Sequence, residues 1–142
     1  MRSLKSTPRW SGLLAMGAML CLALTVAGCQ RPTAADVAKM PEASIVYPGS
    51  TLVRTLSQDA GMDNSAELHQ TYTVEASQDA VAAYYHDKLI ALGWKQTPAL
   101  QLANQMLAEY DYERDKDTIV LSVSAGSSGP QSTSYDYTIF RH

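Results

Sequence analysis

Apolar and polar residues alternate with a period of two along most of the chain, and follow a helical period in one stretch. Leu68, Gln70, Tyr72 and Val74 alternate with His69, Thr71, Thr73 and Glu75, the pattern of a half-buried strand. Thr51–Ser57 reads as a strand ahead of it, entered through Ile45-Val46-Tyr47-Pro48-Gly49. There proline fixes φ and glycine accepts the positive φ of a type II turn. Gln58–Ala66 is a polar loop. Between Ser77 and Gly93, the residues Val81, Tyr84, Tyr85, Lys88, Leu89 and Leu92 fall at i, i+3, i+4, i+7, i+8 and i+11, one stripe of a helix. Ser77 is a good N-cap, Asp79 suits the positive end of the dipole, and Gly93 fits the left-handed position just past the helix. Trp94–Thr97 is a short strand ended by Pro98. In Asn104–Arg114, Met106, Ala108, Tyr110 and Tyr112 share one face, and Leu107, Glu109, Asp111 and Glu113 share a wetter one. Asp115-Lys116-Asp117 is a charged turn into Thr118–Ala125, whose inward face is Ile119, Leu121 and Val123. After a Gly126–Gln131 loop, Thr133, Tyr135, Tyr137 and Ile139 form the last inward face. The order ββαββββ, with hairpin-length connections late in the chain, predicts an α+β domain. It is an antiparallel sheet of five or six strands with one helix packed across one face.

The first 29 residues follow other rules. Residues 1–12 are polar and basic, and residues 13–27 carry no charge, the layout of a secretory signal peptide. A helix of about 15 residues reaches about 22 Å, short of the roughly 30 Å hydrocarbon core, so it would make a poor permanent anchor. The apolar run ends in Val26-Ala27-Gly28-Cys29, which resembles the lipobox of bacterial lipoprotein precursors. The resemblance covers residues 1–29. It implies a diacylglyceryl thioether on Cys29 and cleavage between Gly28 and Cys29, which makes Cys29 the mature N-terminus. Two or three acyl chains anchor durably at about 0.8 kcal/mol per buried methylene. The other cysteine, Cys21, lies in the segment to be removed, so the mature chain can form no internal disulfide. Gln30, where aspartate commonly signals inner-membrane retention, leans towards the outer membrane in a cell that has one. The resulting division is 1–28 as a removed signal peptide, 29–44 as lipidated cysteine and flexible tether, and 45–142 as the globular domain. Pro32, Pro41 and the lack of a strong apolar period in Gln30–Ser44 are the grounds for the tether.

Charge sharpens this division. Three of the eleven basic residues (Arg2, Lys5, Arg9) and no acid lie in the head. The remaining 113 residues therefore hold eight basic against fourteen acidic groups, net −6. An acidic body of one-domain size argues against nucleic-acid binding and against a multi-domain enzyme. The segment from Tyr47-Pro48-Gly49-Ser50 to the helix ending Leu89-X-X-X-Gly93-Trp94 resembles small exported bacterial domains. That resemblance covers roughly residues 45–97 and implies a fold and an exported location, with no activity to carry over.

Candidate chemistry is sparse. Asp111-X-Glu113-X-Asp115-X-Asp117 resembles a calcium loop but has Lys116 where an EF-hand needs glycine, and no glutamate at the twelfth position. The histidines His69, His86 and His142 make no HExxH, and there is no GxSxG, GxxxxGK[ST] or GxGxxG. No metal and no cofactor is expected. His69 and His86 read as exposed. Tyrosine is the unusual feature, with eight against one phenylalanine. Tyr110, Tyr112, Tyr135 and Tyr137 are either a core with hydroxyls at its rim or a surface for a partner protein or cell-wall polymer. The expected function is that of a lipid-anchored cell-envelope lipoprotein, its domain outside the cytoplasm a small binding or scaffolding module. The alternatives are an accessory subunit of an envelope complex and an envelope hydrolase using carboxylates such as Glu109 and Asp111. The reading leans away from an enzyme.

Overall fold

The computed structural model describes residues 31–62, 64–98, 107–126 and 132–142. The leader, Cys29, Gln30, Asp63, the Asn104–Met106 start of one expected strand and most of the Gly126–Gln131 loop lie outside the described residues. The elements are α1 (Ala34–Ala38), a 3-10 turn (Pro41–Ser44), β1 (Thr51–Gln58), β2 (Ala66–Glu75), α2 (Gln78–Ala91), β3 (Lys95–Gln96), β4 (Leu107–Arg114), β5 (Asp117–Ala125) and β6 (Ser132–Arg141). The strands form one antiparallel sheet in the order β1-β2-β6-β5-β4-β3. This is the α+β architecture that the alternation and the single helical stripe predict.

The register explains the core. Leu68 pairs with Ile139, Tyr72 with Tyr135, and Leu121 with Tyr137, so the inward residues of neighbouring strands meet on one face. That face carries the buried cluster, together with Val81, Tyr85 and Leu89 of α2. The helix ends as its sequence dictates. Ser77 Oγ accepts from the Ala80 N–H at 3.2 Å, and Gly93 takes φ 85°. The Gly93 N–H donates to the Ile90 carbonyl and the Trp94 N–H to the Leu89 carbonyl, both at 3.0 Å. These two bonds close a Schellman end and turn Trp94 into the core. Leu92, on the stripe by spacing, is exposed because it is the C-cap residue, where the helical path ends. In the β4–β5 turn Asp115 takes φ 57°, a conformation aspartate tolerates better than most residues. Strand β1 is exposed along its whole length. It is a sheet edge, and a register shift between Leu52 and Arg54 kinks it, a common protection against edge-to-edge pairing.

Residues 31–44 are not a free tether. Thr33 caps α1, and its own N–H and hydroxyl bond the Asp36 carboxylate, which holds that carboxyl below its usual range. Val37 and Met40 are buried in the core cluster. The decisive residue is Glu42, which is 0% exposed. Its Oε1 accepts from Trp94 Nε1 at 2.9 Å and from Arg114 at 2.6 Å. Arg114 also donates to the Leu92 carbonyl at 3.0 Å, and its guanidinium lies 4.5 Å from the centre of the Trp94 ring. A charged side chain in a polar stretch thus ties three distant parts of the chain together.

Candidate functional site

The tyrosines are the first candidates, and the structure divides them. Tyr112, Tyr135 and Tyr137 are buried under α2, and Tyr110 is half-buried. The expected tyrosine-lined partner surface is therefore corrected for three of its four residues: they build the core. The reason is cross-strand neighbourhood. Tyr72 stacks on Tyr135 with centroids 5.2 Å apart, and Tyr85 of α2 packs edge-on against Tyr135 at 5.5 Å and tilted against Tyr137 at 4.8 Å. Two hydroxyls find partners at the rim: Tyr85 donates to the Ile45 carbonyl at 3.1 Å, and Tyr135 to Ser50 Oγ at 2.8 Å. Burial pushes the Tyr112 phenol up to about 12, and raises those of Tyr85, Tyr137 and Tyr72 as well. The Tyr137 hydroxyl is buried with no hydrogen-bond partner, and the Glu42 carboxylate adds to its raised pKa. Tyr137→Phe removes that unsatisfied group. Its expected effect is no loss of stability, and a gain of up to about 1 kcal/mol, read from urea midpoints.

The opposite face of the sheet is the remaining candidate. The helices pack on the other side: Val37 of α1 and Val81, Tyr85 and Leu89 of α2 join the core cluster. The register lays its side chains out in rows across the strands. One row is Arg54, Thr71, Asp136, Ser122 and Glu109, from β1 to β4. The next is Leu56, His69, Thr138, Val120 and Asp111. A further row brings Thr73, Ser134 and Ser124 beside Leu107. Most of these residues are half-buried and carry hydroxyls or charges.

The rows are knitted by short bonds. Thr71 Oγ1 donates to Asp136 Oδ1 at 2.6 Å, and Ser122 Oγ to Glu109 Oε2 at 3.3 Å. His69 lies with Nδ1 2.8 Å from Thr138 Oγ1 and Nε2 3.3 Å from Asp136 Oδ1. His69, expected to be exposed, is half-buried, with its ring held among Thr71, Asp136 and Thr138. Its place on a strand is the only local signal, because Asp136 and Thr138 are 67 and 69 residues away and only Thr71, with Oγ1 3.3 Å from Nε2, is near in sequence. His69, Asp136 and Thr138 have the membership of a hydroxyl-imidazole-carboxylate triad, yet Thr138 is 7% exposed and its hydroxyl is spent on the ring. A nucleophile needs room for an acyl group and donors aimed at a developing oxyanion. Here the surrounding backbone N–H groups are those of central strands, committed to the ladder.

Glu109 and Asp111, the hydrolase candidates, share this face and sit in adjacent rows. Ser122 engages Glu109, while Asp111 Oδ1 is buried without a hydrogen-bond partner. In the acidic run, Asp111 and Glu113 lie along β4, Asp115 occupies the turn, and Asp117 pairs with Arg114. The four do not converge. Among the described residues no group of three or more His, Cys, Asp or Glu could hold a metal ion. Nor is any described helix long and apolar enough to cross a membrane. No protein-family model, curated protein or solved structure matches the chain.

Proposed function

We propose that the chain is a lipid-anchored cell-envelope protein whose domain, outside the cytoplasm, is a binding or scaffolding module. The open sheet face is its contact surface. The observation that carries the surface is the grid of hydroxyls, carboxylates and His69 over β2, β6, β5 and β4, left uncovered by both helices. Such a face suits a polar, extended partner: an envelope protein or a cell-wall polymer. The support for the anchor is the basic head, the uncharged run and Cys29 in their order. Its mature Cys29 would carry the acyl chains.

Two experiments test this. Cys29→Ala is expected to abolish palmitate labelling and leave a larger precursor on a denaturing gel. Unchanged labelling in that variant refutes the anchor. For the surface, a photo-crosslinking residue at Ser122 is compared with one at Asp87, on the exposed side of α2. Crosslinks in intact envelopes are expected from position 122 and not from 87. Crosslinks from 87 alone would move the contact surface to the helix.

A further inference from the structure

The way residues 31–44 fold decides how the domain would sit on a bilayer. Had Gln30–Ser44 been extended, its fifteen residues could have held the domain about 50 Å from the lipid. Instead the chain is tied down at its first described residues. The Ala60 N–H donates to the Pro32 carbonyl at 3.2 Å, and the Ala34 N–H donates to Asp59 Oδ1 at 2.8 Å. Both partners belong to the loop joining β1 to β2. Arg31 is two residues from Cys29, a reach of about 7 Å at most. The headgroup layer of one leaflet is about 5–7 Å deep, so that reach does not clear it.

The same loop carries the most exposed large apolar side chain among the described residues. Met62 is 86% exposed, between Gly61 and Asn64, which close the loop through a Gly61 N–H to Asn64 carbonyl bond of 3.1 Å. A methionine offered to water in this way buries little of its side chain within the domain. An unbranched, polarisable thioether suits the disordered boundary between headgroups and acyl chains. The other end of β2, at Glu75, is about 30 Å away along the strand.

We propose that the β1–β2 loop, with Met62 at its apex, is the membrane-contacting pole of the domain. It is held in the headgroup layer of the bilayer that carries the lipid on Cys29. This rests on the lipid-anchor reading above and adds an orientation to it: one pole faces the bilayer, and the Pro48-Gly49 and α2 N-terminal pole faces away.

The test uses the full chain, matured in bacteria and reconstituted into vesicles of phosphatidylethanolamine and phosphatidylglycerol. With Cys21 removed and Cys29 in a thioether, the wild-type chain is expected to take no thiol label, which reads the anchor by itself. Met62→Cys and Glu75→Cys then each supply a single thiol for an environment-sensitive fluorophore. Both positions are exposed, so neither change threatens the core. Nitroxide-bearing lipid is expected to quench the label at 62 at least about twofold more than the label at 75, given interfacial depths of about 5–10 Å. Equal quenching in chains that float with the vesicles, and whose wild type takes no label, overturns the pole and leaves the anchor standing. A wild-type chain that labels at Cys29 and stays in the supernatant overturns both.

Discussion

Replacing Arg114 by leucine is expected to lower the thermal midpoint by roughly 12 °C or more, equivalent to about 3 kcal/mol for a domain of this size. The cause is the charge left behind. Glu42 is wholly buried, and Arg114 is its only cationic partner among the described residues. Removing Arg114 leaves the buried Glu42 with only the Trp94 N–H, and losing one member of a buried pair costs far more than the pair contributes. Arg114 is itself 30% exposed, so water can reach part of the vacated space, and the expected loss sits near the low end for buried pairs. The substitution also frees the Leu92 carbonyl and the face of Trp94. Two further variants separate these effects. Arg114→Lys keeps the charge but loses the planar stacking and is expected to fall between. Glu42→Leu combined with Arg114→Leu removes both charges and is expected to recover at least half of the single-variant loss. An Arg114→Leu domain melting within a few degrees of wild type would remove Glu42 from the list of stabilising residues.

A second large effect is expected in alkali. The buried phenols of Tyr85, Tyr137 and Tyr112 are harder to ionise than in the unfolded chain, where tyrosine titrates near 10. Below pH 10 both states hold these protons and stability is flat. Above pH 10 the unfolded chain releases protons that the folded chain keeps, so stability falls as pH rises. The loss continues to about 12 for Tyr112 and beyond that for the other two. Each tyrosine contributes a slope of about 1.4 kcal/mol per pH unit, so three together give roughly 4. Over the two pH units in which all three contribute, that removes about 8 kcal/mol, enough to unfold a domain in the lower part of the usual 5–15 kcal/mol range. Urea midpoints measured from neutral pH up to pH 11, with tyrosinate absorbance followed in parallel, read this directly. Midpoints that stay flat through that range would mean the phenols are not buried as described. Tyr137→Phe is expected to reduce the slope by about a third.

Much of the fold was legible because its signals are local. The strand faces follow from alternation, and the register of β4 and β5 follows from a tight turn at Asp115-Lys116. The helix ends follow from Ser77 and Gly93, whose capping bonds involve residues within five positions. What was not legible depends on long-range pairing. Glu42 reads as a surface acid until Trp94 and Arg114, 52 and 72 residues away, arrive beside it. With only Val37, Met40 and Glu42 buried, residues 31–44 offer no period that a helix or strand template could detect. Tyr135 and Tyr137 read correctly as inward. Whether an inward tyrosine lines a groove or fills a core depends on what lies over it, and the helix that covers these is some 50 residues earlier. The His69 cluster needs the β2–β6 pairing, which no local pattern encodes.

The sheet order has a kinetic side. The last strand in chain order, β6, lies in the middle, between β2 and β5. Until it arrives, the hairpins β1–β2 and β4–β5 share no strand boundary, and the inward residues of each have no neighbour across the gap. Pairing β6 with β2 closes a loop of more than fifty residues, which places this domain among the slow, high-contact-order folders. A chain emerging N-terminus first therefore holds two separate hairpins until β6 arrives and joins them into one sheet in a late step.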